Sequence, residues 1–185
     1  MEGVLVAAAR SCDIKLFGNY TVAGVLDGAA QQAGKRDLDV VELWSGVGSV
    51  VAAAEGLGYR AHGFDIFRIP GLTDVPGPMC EDITLETGFV KATSHVLRLR
   101  PAGLLGMAPV CSSFVFPNSS NTRRTRTRWQ GDEEYPPVQR GNLMAQEAAF
   151  LMCVALARDV HFFIENQLAA RCSATRSQRW LSFLD

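Results

Sequence analysis

The chain has 185 residues, 48% of them hydrophobic and 20% charged, with a net charge of −1; this fits one globular domain long enough to bury a substantial core. The composition excludes a disordered chain, and the near-zero net charge excludes a global attraction to nucleic acid. No apolar run reaches the roughly 18–20 residues of a membrane span, and Met1–Ala9 lacks the basic start and long apolar run of a secretory signal, so a soluble intracellular protein without membrane contact is expected.

In chain order, residues 1–37 read as an N-terminal extension carrying one helix, Thr21–Ala33, ending near Gly34. Residues 38–185 read as one α/β domain. Leu38–Leu43 is a short Val- and Leu-rich run, as in a buried parallel strand. Val50–Leu57 is a helix stopped by Gly58, and Arg60–Phe64 a second strand closing on Asp65. Residues 66–81 are loop-like, interrupted by Pro70, Pro76 and Pro78. Thr87–Leu99 has helical apolar spacing, Gly103–Met107 is a third strand, and residues 108–137 form a long loop. Val138–Ala157 is a long helix, Val160–Ile164 a fourth strand, and Ser177–Leu184 a final helix. Strands alternating with helices predict a mostly parallel sheet covered on both faces.

Chemistry concentrates first in Glu42–Ser49 (ELWSGVGS), where a strand runs into Gly46-x-Gly48 and then into a helix. Glycines there allow a ligand to approach the backbone at a helix N-terminus. Ligands of such sheets bind outside the carboxyl ends of the strands, where Asp65 can accept bonds from ribose hydroxyls. The plain alternative is a tight turn beside a strand-end carboxylate. A dinucleotide would want a glycine at position 51, which is Val51, so S-adenosylmethionine is the natural candidate cofactor. Asp82, in Glu81-Asp82-Ile83, either takes an adenine amino group or lies in a solvated acidic turn. Five scattered cysteines, Cys12, Cys80, Cys111, Cys153 and Cys172, form no Cys-x-x-Cys pair and no Cys/His cluster. They argue against a metal site and against a disulfide framework. His62, His95 and His161 are scattered and read as structural.

In this order the motifs resemble the DNA cytosine-5 methyltransferases, from about Val40 to Gln167. ELWSGVGS is similar to their Phe-x-Gly-x-Gly motif, with Trp44 in place of Phe. Asp65 falls at the ribose-binding acid and Asp82 at the adenine-contacting acid. Ala108-Pro109-Val110-Cys111 resembles the Pro-Pro-Cys-Gln nucleophile loop, and Phe163-Ile164-Glu165-Asn166-Gln167 the strand ending in Glu-Asn-Val. The resemblance implies a Rossmann-like class I methyltransferase sheet, with Trp44, Gly46, Gly48, Asp65, Asp82 and Pro109 around S-adenosylmethionine. It implies that Cys111 adds to carbon 6 of cytosine, that Glu165 bonds the ring at N3, and that Asn166 holds the cysteine loop. A thiol must be activated for this role, and a base in a duplex must be flipped out to be reached. Without the resemblance, Cys111 reads as an inert, partly buried thiol and Glu165 as a strand terminus.

Arg123, Arg124, Arg126 and Arg128, with Trp129 beside them, suit phosphate contacts and base stacking near such a nucleophile. Equally, they can pair with Asp132, Glu133 and Glu134 in a solvated loop. The departures are Val110 where the family has proline, Gln167 where it has valine, and a C-terminus at Asp185. That end leaves no room for the Gln-x-Arg-x-Arg element, a target-recognition domain or the helix completing the cofactor site, so the sheet is expected to be incomplete at its C-terminus. Three functions stay open. The first is an S-adenosylmethionine-dependent cytosine-5 methyltransferase acting on DNA, nuclear in a eukaryote and otherwise cytoplasmic. The second is a catalytically inactive fragment or relative that binds nucleic acid, and the third is methylation of RNA or a small molecule.

Overall fold

Thr21 caps the first helix, α1 (Val22–Ala33), by accepting the Gly24 N–H at 3.1 Å, and Gly34 follows its end. The computed structural model describes residues 21–66, 82–115, 118–125 and 127–165. Within them follow β1 (Leu38–Leu43), α2 (Ser49–Gly56), β2 (Ala61–Phe64), α3 (Glu86–Leu97), β3 (Leu99–Met107), the one-turn α4 (Ser119–Thr122), α5 (Pro136–Ala157) and β4 (His161–Ile164). The N-terminal stretch 1–20, most of the proline-rich loop (67–81) and the expected helix Ser177–Leu184 lie outside the described residues.

Three elements depart most from expectation: β3, α4 and α5. β3 begins at Leu99 rather than Gly103, directly after α3. Its pairing with β1 jumps from Leu38↔Leu99 to Val40↔Leu104, so the surplus residues of β3 bulge out. Pro101 donates nothing to the ladder there, and Ala102 turns at φ 59° while its N–H reaches Asp159 O. Inside the expected loop 108–137, α4 forms, and α5 starts two residues early on the pair Pro136–Pro137, which needs no amide partner in a first helical turn.

The four strands are all parallel in the order β2-β1-β3-β4. This arrangement is compatible with a Rossmann-like fold. Crossovers of parallel strands are right-handed. The β1-to-β2 step therefore carries α2 to one face, while the opposite steps to β3 and β4 carry α3 and α5 to the other. α1 packs on α3, and α2 rests on β1 and β2. Val41, Leu43, Phe64, Leu105 and Met107 line the α3/α5 side and are at most 1% exposed, packed with Phe89, Val96 and Leu151. This core holds the sheet ends in register: Phe64, Leu43, Met107 and Ile164 stand side by side.

Candidate functional site

The residues just past that register line are Asp65, Trp44, Ala108 and Glu165. At about 4.8 Å per strand, the row from Asp65 to Glu165 spans roughly 14 Å. The strand order reverses between β1 and β3, because β1 leads away to β2 while β3 leads toward β4. Loops leaving adjacent strands in opposite directions open a crevice, the usual ligand position of such sheets.

On the β1 side the turn is built by backbone conformation. Trp44, Gly46 and Gly48 have φ of 55°, 53° and 71°. The glycines adopt this region without the cost a side chain would carry, and among the described residues nothing beyond their chain neighbours lies within 4 Å of a Cβ placed on either. Trp44 bears that cost while its ring packs against the core. Asp65 Oδ2 accepts the Gly46 N–H at 2.8 Å, so the expected ribose acid also fixes the turn. Glu42, 7% exposed, accepts the Val51 N–H at 3.1 Å in the first turn of α2. It lies inside the glycine motif, yet nothing in the sequence distinguishes this capping carboxylate from an ordinary strand residue.

On the β3 side, Ala108 N–H still pairs with Leu43 O at 3.1 Å, and Pro109, having no N–H, ends the ladder. The half-buried thiol residue Cys111 begins a turn in which Phe114 N–H donates to Cys111 O at 2.8 Å. Asn118 Nδ2 donates to Ser112 O at 2.7 Å, and Arg124 Nε to Ser113 O at 2.9 Å. Three successive carbonyls, those of Cys111, Ser112 and Ser113, are thus tied down. Glu165 is exposed on the neighbouring strand end, with its N–H on Met107 O at 2.8 Å. The structure therefore brings the glycine turn, Asp65, the Cys111 loop and Glu165 to one end of the sheet; Asn166 lies outside the described residues.

The arginine run divides. Arg124 turns inward: its guanidinium also reaches Ser113 Oγ (3.2 Å), Asn142 Oδ1 (2.9 Å) and the Trp129 carbonyl, and stacks 3.9 Å from the Phe114 ring centre. Burial holds its pKa below the usual arginine value. Arg123 pairs with Asp132 at 3.2 Å, and Arg128 Nε donates to Gly131 O at 3.0 Å. Trp129 is 44% exposed, and Arg126 lies outside the described residues. An open concavity of about 410 Å³, lined by Ser120, Asn121, Arg123, Asp132 and Tyr135, lies beside this loop and is lined by none of the glycine-turn residues.

Asp82 accepts from Thr84 N–H (3.0 Å) and Thr84 Oγ1 (2.6 Å) and pairs with Arg140 at 3.0 Å. Its carbonyl sits where a Cβ on Gly88 would be, so Gly88 lets this acidic turn lie on α3. Sequence reasoning missed Glu147, which is 3% exposed with neither carboxylate oxygen hydrogen-bonded among the described residues. Burial first, then the charge of Asp82, pushes its pKa up to about 9, against Arg140. The available signal was its place between Met144, Ala148 and Leu151 on the apolar stripe of α5. Also missed was the stacking of His62 on His95, with ring centres 4.0 Å apart.

Among the described residues no group of three or more His, Cys, Asp or Glu could hold a metal ion, and no helix is long and apolar enough to cross a membrane. No protein-family model, curated protein or solved structure matches this chain.

Proposed function

We propose that this chain is a methyltransferase-like domain of the class I type that binds S-adenosylmethionine and acts on cytosine in nucleic acid. The observation that carries this reading is the meeting, at the sheet's reversal point, of a glycine turn braced by Asp65 with a cysteine loop on the adjacent strand. Among the described residues the space over Gly46 and Gly48 is open, which suits a nucleoside at this turn. Gly46, Gly48, Asp65 and Trp44 would hold the cofactor's nucleoside end, and Asp82 the adenine edge once it gives up Arg140.

When bound, the cofactor supplies an electrophilic methyl group. The chain's own residues prepare the acceptor. Cys111, deprotonated, adds to carbon 6 of the pyrimidine and makes carbon 5 nucleophilic. Glu165, one strand away, hydrogen-bonds N3 and stabilises the charge that this addition places on the ring. The contacts of the described arginines of the run, Arg123, Arg124 and Arg128, favour this reading over a non-catalytic nucleic-acid module. Arg124 is engaged inside the loop, Arg128 holds Gly131, and Arg123 faces Asp132.

Calorimetric titration with S-adenosylmethionine tests the cofactor half. Saturable binding by the wild-type chain, abolished in folded Asp65→Ala, is the expected result; a folded wild-type chain that binds nothing would overturn it. Incubation with S-adenosylmethionine and 5-fluorocytosine-containing DNA then tests the chemistry: once carbon 5 is methylated, its fluorine leaves no proton to remove and the thiolate cannot depart, so a covalent adduct is expected for wild type and none for Cys111→Ala.

A further inference from the structure

The described residues around Cys111, 108–115, form no helix or strand, yet two side chains hold their backbone: Asn118 on Ser112 O at 2.7 Å, and Arg124, which alone ties them to α5. Arg124 Nε binds Ser113 O at 2.9 Å, and the same guanidinium binds Ser113 Oγ at 3.2 Å. Its other contacts are Asn142 Oδ1 at 2.9 Å and Val138 O at 3.4 Å, both on α5, and the Trp129 carbonyl. The plane of the group covers the Phe114 ring at 3.9 Å. Ser113, 3% exposed, is seated against Gly141, where a Cβ would come within 2.1 Å of Ser113 Oγ. Asn142 is itself held, donating through Nδ2 to Gln130 O at 3.0 Å. One fork of donors therefore joins the segment two residues after Cys111 to the first two turns of a 22-residue helix fixed in the core.

We propose that Arg124 is the positioning residue for Cys111, setting where the thiol stands over the crevice. This rests on the reading of Cys111 as the nucleophile. The fork geometry is what an arginine supplies and a lysine does not. A lysine offers one compact charge and cannot bridge Ser113 O, Asn142 Oδ1 and the Phe114 face together. Losing the clamp frees the loop, with two opposite consequences. A small reagent reaches the half-buried thiol more easily, whereas productive attack on a bound base slows, because attack depends on orientation.

The experiment compares wild type, Arg124→Ala, Arg124→Lys and, as a control at the opposite end of the sheet, Arg100→Ala. Iodoacetamide labelling is followed site by site by mass spectrometry, with the exposed Cys153 as the internal reference thiol. Covalent trapping on 5-fluorocytosine DNA and S-adenosylmethionine affinity are measured on the same proteins. In Arg124→Ala the Cys111-to-Cys153 labelling ratio rises several-fold and trapping slows roughly 10- to 100-fold, at unchanged cofactor affinity. Arg124→Lys lies between, and serves alone if the alanine variant does not fold. A ratio that stays at the wild-type value, or both thiols accelerating together, would overturn the proposal by reducing Arg124 to general stability. If the ratio rises but wild type forms no adduct, the clamp stands and the methyltransferase chemistry fails.

Discussion

Glu147 allows the electrostatics of the core to be tested without any ligand. It is 3% exposed, has no hydrogen-bond partner for either oxygen among the described residues, and has its pKa pushed from the ordinary 4.5 up to about 9. The folded protein therefore keeps a proton that the unfolded chain releases. Because the folded value is the higher one, the contribution to stability is complete below pH 4.5 and is lost as pH rises toward about 9. At about 1.36 kcal/mol per pH unit, raising the pH from about 6.5 to about 8.5 should cost about 2–3 kcal/mol. That is a large share of the roughly 5–15 kcal/mol that holds a domain folded. Glu147→Gln keeps the shape and removes the ionisation. Urea unfolding across this window should show wild type losing stability while the variant stays level, the two curves separating by about 2–3 kcal/mol. Parallel curves would refute the buried proton.

On the acid side, burial first and then His62 push His95 from 6.5 down to about 3, with Arg98 and Lys91 adding and Asp37 opposing. Its folded value is the lower one, so stability is complete above pH 6.5 and is lost as pH falls toward about 3. His95→Phe, which keeps a ring against His62, should flatten the fall in urea midpoint between pH 6.5 and about 5, worth about 2 kcal/mol; an unchanged slope would count against it. Gly141→Ala should drive Ser113 off α5, at a cost of about 1–3 kcal/mol in urea unfolding that outweighs the ~1 kcal/mol helix gain of alanine. Gly56→Ala in α2, where a Cβ meets nothing within 4 Å among the described residues, is its control.

The elements were legible where apolar spacing and punctuation agreed. Leu38–Leu43 matched to the residue, and α5 was visible from its length. β3 was shortened because Pro101 reads as a break, whereas the chain passes it as a bulge still paired with β1. At the site, the pattern of strand, glycine turn, helix and strand-end acid placed Gly46, Gly48 and Asp65 together, because local order in a parallel sheet fixes which loops share an end. It could not show that Asp65 binds Gly46 N–H across 19 positions. Nor could it separate Arg124 from Arg123 and Arg128. Adjacent residues of one type differ only in what the fold places around them, and Arg124 meets Ser113 and Phe114 from the Cys111 loop and Asn142 from α5.

The inward turn of Arg124 also changes what the sheet's carboxyl end offers to a ligand. Arg123 faces Asp132, Arg128 holds Gly131, and Arg140 faces Asp82. In the same loops Val47, Leu85, Val110, Trp129 and Tyr135 are 39–57% exposed, and Ile164 at the end of β4 is 37% exposed. Where cations are paired and apolar groups point outward, as for these described residues, the faces and edges of flat rings are recognised better than a line of phosphates. Affinity there would come from stacking and from directional bonds to Asp65, Glu165 and the turn backbone, and only a minor part from charge. That balance suits a site meant to hold one extracted base beside a nucleoside more than one meant to coat a nucleic-acid backbone.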